Sequence, residues 1–218
     1  MIFGKIEYLN LLPFHVFMKR YTKGSAAKMG MEYKKNVPAK INSAFHKRHV
    51  NAAFISSISA KNSQHVGLGI VAKKEVQSVL VIPSNVNKTD IESASSNVLA
   101  KILQQQGEVL IGDKALRYAL KHDNYIDLAK LWNERYKLPF VFALLCYHTD
   151  KRHYKKVEQM FLKQEVKIPS YILKKSAKRT GVSEQEILNY LKLISYRLDA
   201  KTERGLKKFY KLSREVSL

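Results

Sequence analysis

Several kinds of active site need residues that this chain has little of. It carries one cysteine, Cys146, in 218 residues, so no internal disulfide can close and a multi-cysteine zinc cage is excluded. Cys146 lies inside an apolar run, where a packing role is expected rather than a nucleophilic one. No apolar stretch approaches the ~18 residues of a membrane-spanning helix. The opening residues MIFGKIEYLN lack the charged start and long apolar region of a signal peptide, which predicts a cytoplasmic location. Gly-x-Ser-x-Gly, a Walker loop and Gly-x-Gly-x-x-Gly are all missing, and Gly67-Leu68-Gly69 is too short to cradle a phosphate. His46 and His49 flank Lys47 and Arg48, and His148 and His153 sit near Lys151 and Arg152. Cationic neighbours repel a metal ion, so no metal site is expected.

Acidic residues are scarce as well. Lys and Arg number 39 against 18 Asp and Glu, for a net charge of +21. Residues 151–218 hold eighteen basic and seven acidic side chains, so about half the excess falls in the last third. Such a field attracts anions without choosing among nucleic acid, acidic membrane and a small polyanionic substrate. Hydrophobic residues at 45% and charged residues at 26% place the chain among ordinary globular proteins, long enough for one large domain or two small lobes.

The richest stretch runs from Gly107 to His148. An apolar run, Val109–Ile111, ends at Gly112-Asp113 and a helical pattern follows. Asp127 is placed to cap a second helix reaching about Tyr136; Leu138-Pro139 breaks it, and a second apolar run, 140–145, follows. Strand, polar corner, two helices and strand is α/β wiring, in which ligands sit beyond the carboxyl ends of strands.

Elsewhere the pattern predicts a first strand from Ile2 to about Leu9 and a helix from Pro13 to about Tyr21. Residues 22–36 read as a polar surface segment. A helix opening at Pro38 precedes strands at 52–55, 68–72 and 76–82, the last long enough to pass between lobes. Ser93-Ala94-Ser95-Ser96-Asn97 stands where it would cap a helix whose free N–H groups can hold a carboxylate. From about Tyr154 onward, apolar residues recur at helical spacing, interrupted near Pro169 and Gly181.

Five segments in order, Gly4–Pro13 with its Leu-Asn-x-x-Pro turn, Ala53–Ile58, Val76–Leu80, Gly107–His148 and Tyr190–Tyr210 with its Ser-Tyr-Arg-Leu, resemble the menaquinone-biosynthesis proteins of the futalosine pathway (the MqnA/MqnD family), in its chorismate dehydratase branch. The resemblance implies an α/β, two-lobed, type II periplasmic-binding-protein-like fold. A middle lobe, 81–144, is inserted into a discontinuous outer lobe, 1–80 and 145–218, that carries the C-terminal helices. It also implies loss of water from chorismate, without metal or redox cofactor, to give 3-[(1-carboxyvinyl)oxy]benzoate. The sister branch, acting on cyclic dehypoxanthinyl futalosine, shares the fold.

Four polar corners are then expected to converge on the cleft between lobes: Asn10, Ser56-Ser57, Ser95-Ser96-Asn97 and Gly112-Asp113. They are rich in uncharged hydrogen-bond groups, which suits a small dianion. Asn10 and Ser96 are the expected catalytic residues. Asn10 orients the substrate and assists departure of its hydroxyl, and the turn around Ser96 anchors one carboxylate. Ser56, Ser57, Ser95, Asn97, Gly112 and Asp113 are expected to bind substrate or shape its site. The proton acceptor is Asp113 or the substrate's own carboxylate; residue types alone leave both open.

Two other classes of function compete. Ile172–Leu191 has helix-turn-helix spacing around Gly181-Val182-Ser183, and with +21 this suggests DNA binding; Glu184 and Glu186 stand where phosphate contacts would be wanted. A non-catalytic cytoplasmic sensor of a small ligand is the other. A small-molecule dianion is the expected partner, with nucleic acid and membrane set aside and either a monomer or a homodimer allowed.

Overall fold

A computed structural model describes residues 1–22 and 32–216. Its larger sheet has six strands in the order β2-β1-β3-β8-β4-β9, formed by β1 (Ile2–Lys5), β2 (Glu32–Lys35), β3 (Ala52–Ser56), β4 (His65–Ala72), β8 (Phe140–Tyr147) and β9 (Ile194–Arg197). β1 runs parallel to β2 and β3, whereas β8 is antiparallel to both β3 and β4. The smaller sheet, β6-β5-β7, is antiparallel and comprises β5 (Val79–Ile82), β6 (Glu108–Ile111) and β7 (Ile126–Asp127). The chain therefore leaves the larger sheet after Ala72 and rejoins it at Phe140.

Local chemistry explains the elements that frame the cleft. β3 is AAFIS with every residue buried, the apolar run expected of a strand covered on both faces. α1 (Leu12–Tyr21) starts with Pro13 in its first turn, where a missing N–H costs nothing. α4 (Ala94–Ile102) is capped by Ser93, which accepts the Ser96 N–H. α6 (Leu128–Tyr136) is capped by Asp127, which accepts from Ala129 and Lys130. The other carboxylate oxygen of Asp127 accepts the N–H groups of Val76 (2.8 Å) and Gln77 (2.7 Å). One side chain thus pins the crossing between the sheets, where Gln77 holds a left-handed φ of 57°.

The core is aromatic on both sides of the larger sheet. Phe14 packs edge-on against Phe54 at 4.9 Å and Phe161 at 5.4 Å, and Phe140 meets Trp132 and Phe209 at 5.3 and 4.9 Å. Cys146 is buried in β8, and burial pushes its thiol up to about 12, so no thiolate is on hand. Among the described residues, no helix is long and apolar enough to cross a membrane.

Four expectations need correction. The first strand stops at Lys5; the chain then tightens into a 3-10 turn, Leu9–Leu11, closed by the Leu11 N–H on the Tyr8 carbonyl. That turn swings Tyr8 and Asn10 to the sheet's end. Within the segment read as surface, residues 23–31 lie outside the described residues, but 32–35 form the parallel edge strand β2, whose four residues are all exposed. The crossing strand begins at Val79 rather than Val76, because Asp127 has taken the N–H groups of 76 and 77. Ser195–Arg197, read among the terminal helices, belong to β9 and pair with β4.

The helix-turn-helix pattern does correspond to two helices, α8 (Ser170–Thr180) and α9 (Glu184–Lys192), joined through Gly181 at φ 68°. Glu186 is consumed by a capping box with Ser183, and Ile187 and Tyr190 of α9 point into the core. The last helix, α10 (Ala200–Glu215), closes the larger sheet's face.

Candidate active site

A narrow cleft lies between the two sheets, beyond the carboxyl ends of β1 and β3. There the strand order reverses, and open α/β sheets place their ligands at such switch points. It encloses about 70 Å3 over an apolar floor that includes Ile6, Phe54 and Phe142. The polar groups in its wall come from Tyr8, Asn10, Ser56, Ser78, Ser93, Ser96 and Gly112, and none is a formal charge at neutral pH.

The wall's hydroxyls differ in what remains free. Ser93 accepts the Ser96 N–H and donates to the Ser96 hydroxyl at 2.8 Å, so the hydrogen on Ser96 keeps no partner among the described residues. Ser78 accepts from the Tyr190 phenol at 2.9 Å, which frees the Ser78 hydrogen in the same way. Ser56 is different: it accepts from Asn42 Nδ2 at 2.8 Å and donates to Ser59 at 3.0 Å, leaving only a lone pair. Two donors and one acceptor therefore face the cleft from these three positions.

Asn10 holds its backbone carbonyl against the Tyr196 phenol at 2.7 Å, while its Oδ1 is buried with no partner among the described residues. A buried amide oxygen in that state is costly unless a ligand satisfies it. Burial pushes the phenols of Tyr190 and Tyr196 well up, so both are fixed donors rather than bases. Tyr8 donates to Glu92, and burial together with that carboxylate raises its pKa strongly. The ring of Tyr8 lies on Gly112, whose φ is 65°; a Cβ there would sit 2.8 Å from Tyr8 Cζ. Gly112 also donates its N–H to the Ser78 carbonyl at 2.8 Å, fixing the corner against the crossing.

Asn10, Ser56, Ser96 and Gly112 thus share one crevice, whereas Ser57, Ser95, Asn97 and Asp113 do not line it. Ser57 and Ser95 meet each other at 3.1 Å, and Ser95 accepts the Ile58 N–H at 3.0 Å, forming a strut between β3's end and α4. Asn97 brackets the backbone of Asp90 with both ends of its amide. Asp113, in the first turn of α5 (Gly112–Ala119), accepts the Leu9 N–H at 2.9 Å and pairs with Arg179 at 2.9 Å. Burial raises its carboxyl, against the pull of those two partners. It ties the turn bearing Tyr8 and Asn10 to the smaller sheet.

Tyr8 and Ser78 line the cleft, and Tyr190 and Tyr196 hold its wall, yet the sequence pattern singles out none of the four as a candidate site residue; Ser93, expected as part of a helix cap, lines the cleft as well. Ser78 carried a usable signal, a hydroxyl standing alone at the head of an apolar run. The tyrosines carried none, because Tyr190 reaches Ser78 across 112 residues and Tyr196 reaches Asn10 across 186.

Known proteins match this chain in both fold and sequence. A solved protein of Archaeoglobus fulgidus superposes with a TM-score of 0.71 at 13% identity, covering 98% of this chain and 96% of that one. A conserved Candida albicans gene product, described as having the generic periplasmic-binding-protein fold, superposes with a TM-score of 0.58 at 15% identity over 100% of this chain and 91% of that one. These likenesses show a two-lobed periplasmic-binding-protein-like fold. In sequence, the chain is 44% identical over 222 aligned positions to a chorismate dehydratase of Campylobacter jejuni, each protein covered in full. Residues 88–215 match the family described as menaquinone biosynthesis, and to that family this chain belongs.

Proposed function

We propose that this chain is a chorismate dehydratase, a cytoplasmic hydro-lyase that converts chorismate to 3-[(1-carboxyvinyl)oxy]benzoate and water. The observation that carries the reading is the full-length relationship to the Campylobacter jejuni enzyme. A cleft of uncharged donors at the switch point supports it independently.

In the reaction, the ring carbon bearing the enolpyruvyl ether loses its proton and the electron pair becomes a ring double bond. The neighbouring carbon–oxygen bond breaks, and the departing hydroxide takes up a proton to leave as water. The ring becomes aromatic, so the driving force is large and the protein has chiefly to hold one geometry. The free hydrogens of Ser78 and Ser96 suit a departing oxygen or a carboxylate, and α4 points its positive end at the same place. The orphaned Asn10 Oδ1 suits the substrate's hydroxyl before it leaves. Among the described residues lining the cleft, no side chain is a base at neutral pH, which favours the substrate's own carboxylate over Asp113 as the proton acceptor.

The cleft at about 70 Å3 is far smaller than the ~300 Å3 at which small-molecule sites begin, so substrate binding requires it to widen. We read the smaller-sheet body, which begins at Val79 and ends before Phe140, as moving against the larger sheet, with the crossing at Gln77 as one of its pivots. This is a narrower span than 81–144, because β8 (Phe140–Tyr147) is held between β3 and β4.

Purified protein incubated with chorismate should release the aromatic product, followed by its ultraviolet spectrum and by a mass lower by one water. Replacing Asn10 or Ser96 with Ala should lower turnover at least ~100-fold with the fold retained. Turnover of cyclic dehypoxanthinyl futalosine in place of chorismate would move the chain to the sister branch.

A further inference from the structure

Tyr8 has an outer side as well as a cleft side. Outside, its ring walls a trough of about 340 Å3 whose floor includes Leu12, Val16 and Ile172 and whose rim carries five cations against one carboxylate. That carboxylate, Glu7, is shared by Lys5 and Lys35 at 3.3 Å each, which draws its pKa down. Arg179 is committed to Asp113. Lys19 and Lys175 have no carboxylate partner among the described residues; Lys19 rests over the Tyr171 ring at 5.6 Å and donates to the Tyr171 hydroxyl at 3.4 Å, both neutral contacts. Two exposed ammonium groups whose charge no carboxylate among the described residues balances therefore stand over an apolar floor, beside Tyr8.

That combination is selective. A bare inorganic anion gains nothing from Leu12, Val16 and Ile172, and a neutral ring gains nothing from the lysines. A ring bearing carboxylates uses both. The trough has room for such a molecule, whereas the closed cleft does not. We propose that this trough is a second binding site, for an aryl or cyclohexadienyl carboxylate, which captures the substrate outside Tyr8 before the cleft opens. The identity of the natural ligand rests on the dehydratase reading; the chemistry of the trough does not.

Isophthalate, an aromatic dianion, is the probe. Titrated into the full chain, it should shift the backbone amide resonances of Ile172 and Ser176 in a saturable manner. The Lys19→Gln/Lys175→Gln double variant should weaken that binding about 5-fold, as the loss of two exposed ion pairs implies. Arg179 is left in place because it also holds Asp113. In turnover, the same variant should lower kcat/KM for chorismate by a similar factor at low ionic strength and leave kcat unchanged, since saturating substrate bypasses capture. The difference between variant and wild type should shrink in high salt. Identical isophthalate affinities in variant and wild type would overturn the proposal, as would equal shifts from the same concentration of inorganic phosphate. Should the wild-type protein leave chorismate untouched, the dehydratase reading fails while the isophthalate titration still decides the trough.

Discussion

The phenol of Tyr190 donates to the Ser78 hydroxyl at 2.9 Å, so a residue from the C-terminal helix pair aims a hydroxyl on the cleft wall. Ser78 stands at the head of the smaller sheet's central strand, and without Tyr190 its hydrogen is free to turn away from the substrate. Tyr190→Phe is therefore expected to lower kcat about 10-fold, with a smaller change in KM. It should also cost about 1–2 kcal/mol of stability, because the Ser78 oxygen loses its donor. Ser78→Ala, which removes the donor itself, should lose about 100-fold or more in kcat. Steady-state kinetics with chorismate beside urea unfolding separates the two effects. Unchanged kcat in both variants would remove Ser78 from the site.

Gly112 gives a prediction of another kind. Its left-handed φ and the Tyr8 ring 2.8 Å from a would-be Cβ leave no room for a side chain. Gly112→Ala must either displace Tyr8 from Glu92 or distort the start of α5, and each opens the cleft wall. Turnover should drop about 10-fold or more and the unfolding midpoint should fall, at a cost of roughly 1–3 kcal/mol. A fully active, fully stable variant would show that Tyr8 tolerates being pushed outward.

Much of this architecture was legible because its signals are local. Asp127 before an apolar helical period, Ser93 before another and the solid run Ala52–Ser56 each announce an element without reference to distant residues. The elements that escaped are those whose existence depends on partners. β2 is four exposed residues, EYKK, and is a strand only because Ile2–Lys5 offers it an open edge. β9 sits in a helical-looking period, with Leu191, Ile194 and Leu198 at i, i+3 and i+7, yet it pairs with β4. In the cleft, the polar corners Asn10, Ser56, Ser96 and Gly112 were readable as loop ends. Which of their hydroxyls keeps a free hydrogen was not, since Asn42 and Tyr190 act from other elements, and Ser59 and Ser93, three residues away, act only through the backbone turn that brings them into reach.

Asp127 joins two jobs in one carboxylate: capping α6 and holding the crossing at Val76 and Gln77. Four backbone N–H groups lose their acceptor in Asp127→Ala, and those of Ala129 and Val76 have no water nearby to replace it because both residues are buried. The variant should be destabilised by about 3 kcal/mol in urea unfolding, the sum of a lost cap and two charge-assisted bonds. Asp127→Asn keeps one acceptor and should lose about half as much. If Asp127→Ala unfolded like the wild type, the crossing would not depend on this residue.

His15 supplies the pH dependence. Its Nε2 meets the Ile6 carbonyl at 2.8 Å, and burial, with help from Lys5 and Lys35 against Glu7, lowers its pKa from 6.5 to about 4. Above pH 6.5 the ring is neutral in both folded and unfolded chains and contributes no slope. Between 6.5 and 4 the unfolded chain binds a proton that the folded one refuses, so stability falls as the pH falls. Partial exposure of the ring restores some of its hydration, and the loss by pH 4 is expected to be about 1–3 kcal/mol. His15→Gln keeps an N–H for the Ile6 carbonyl but cannot titrate, so its urea midpoint should drop less than the wild type's between pH 7 and 4. Parallel midpoints for the two proteins over that range would mean that His15 is protonated as readily in the folded chain as in the unfolded one.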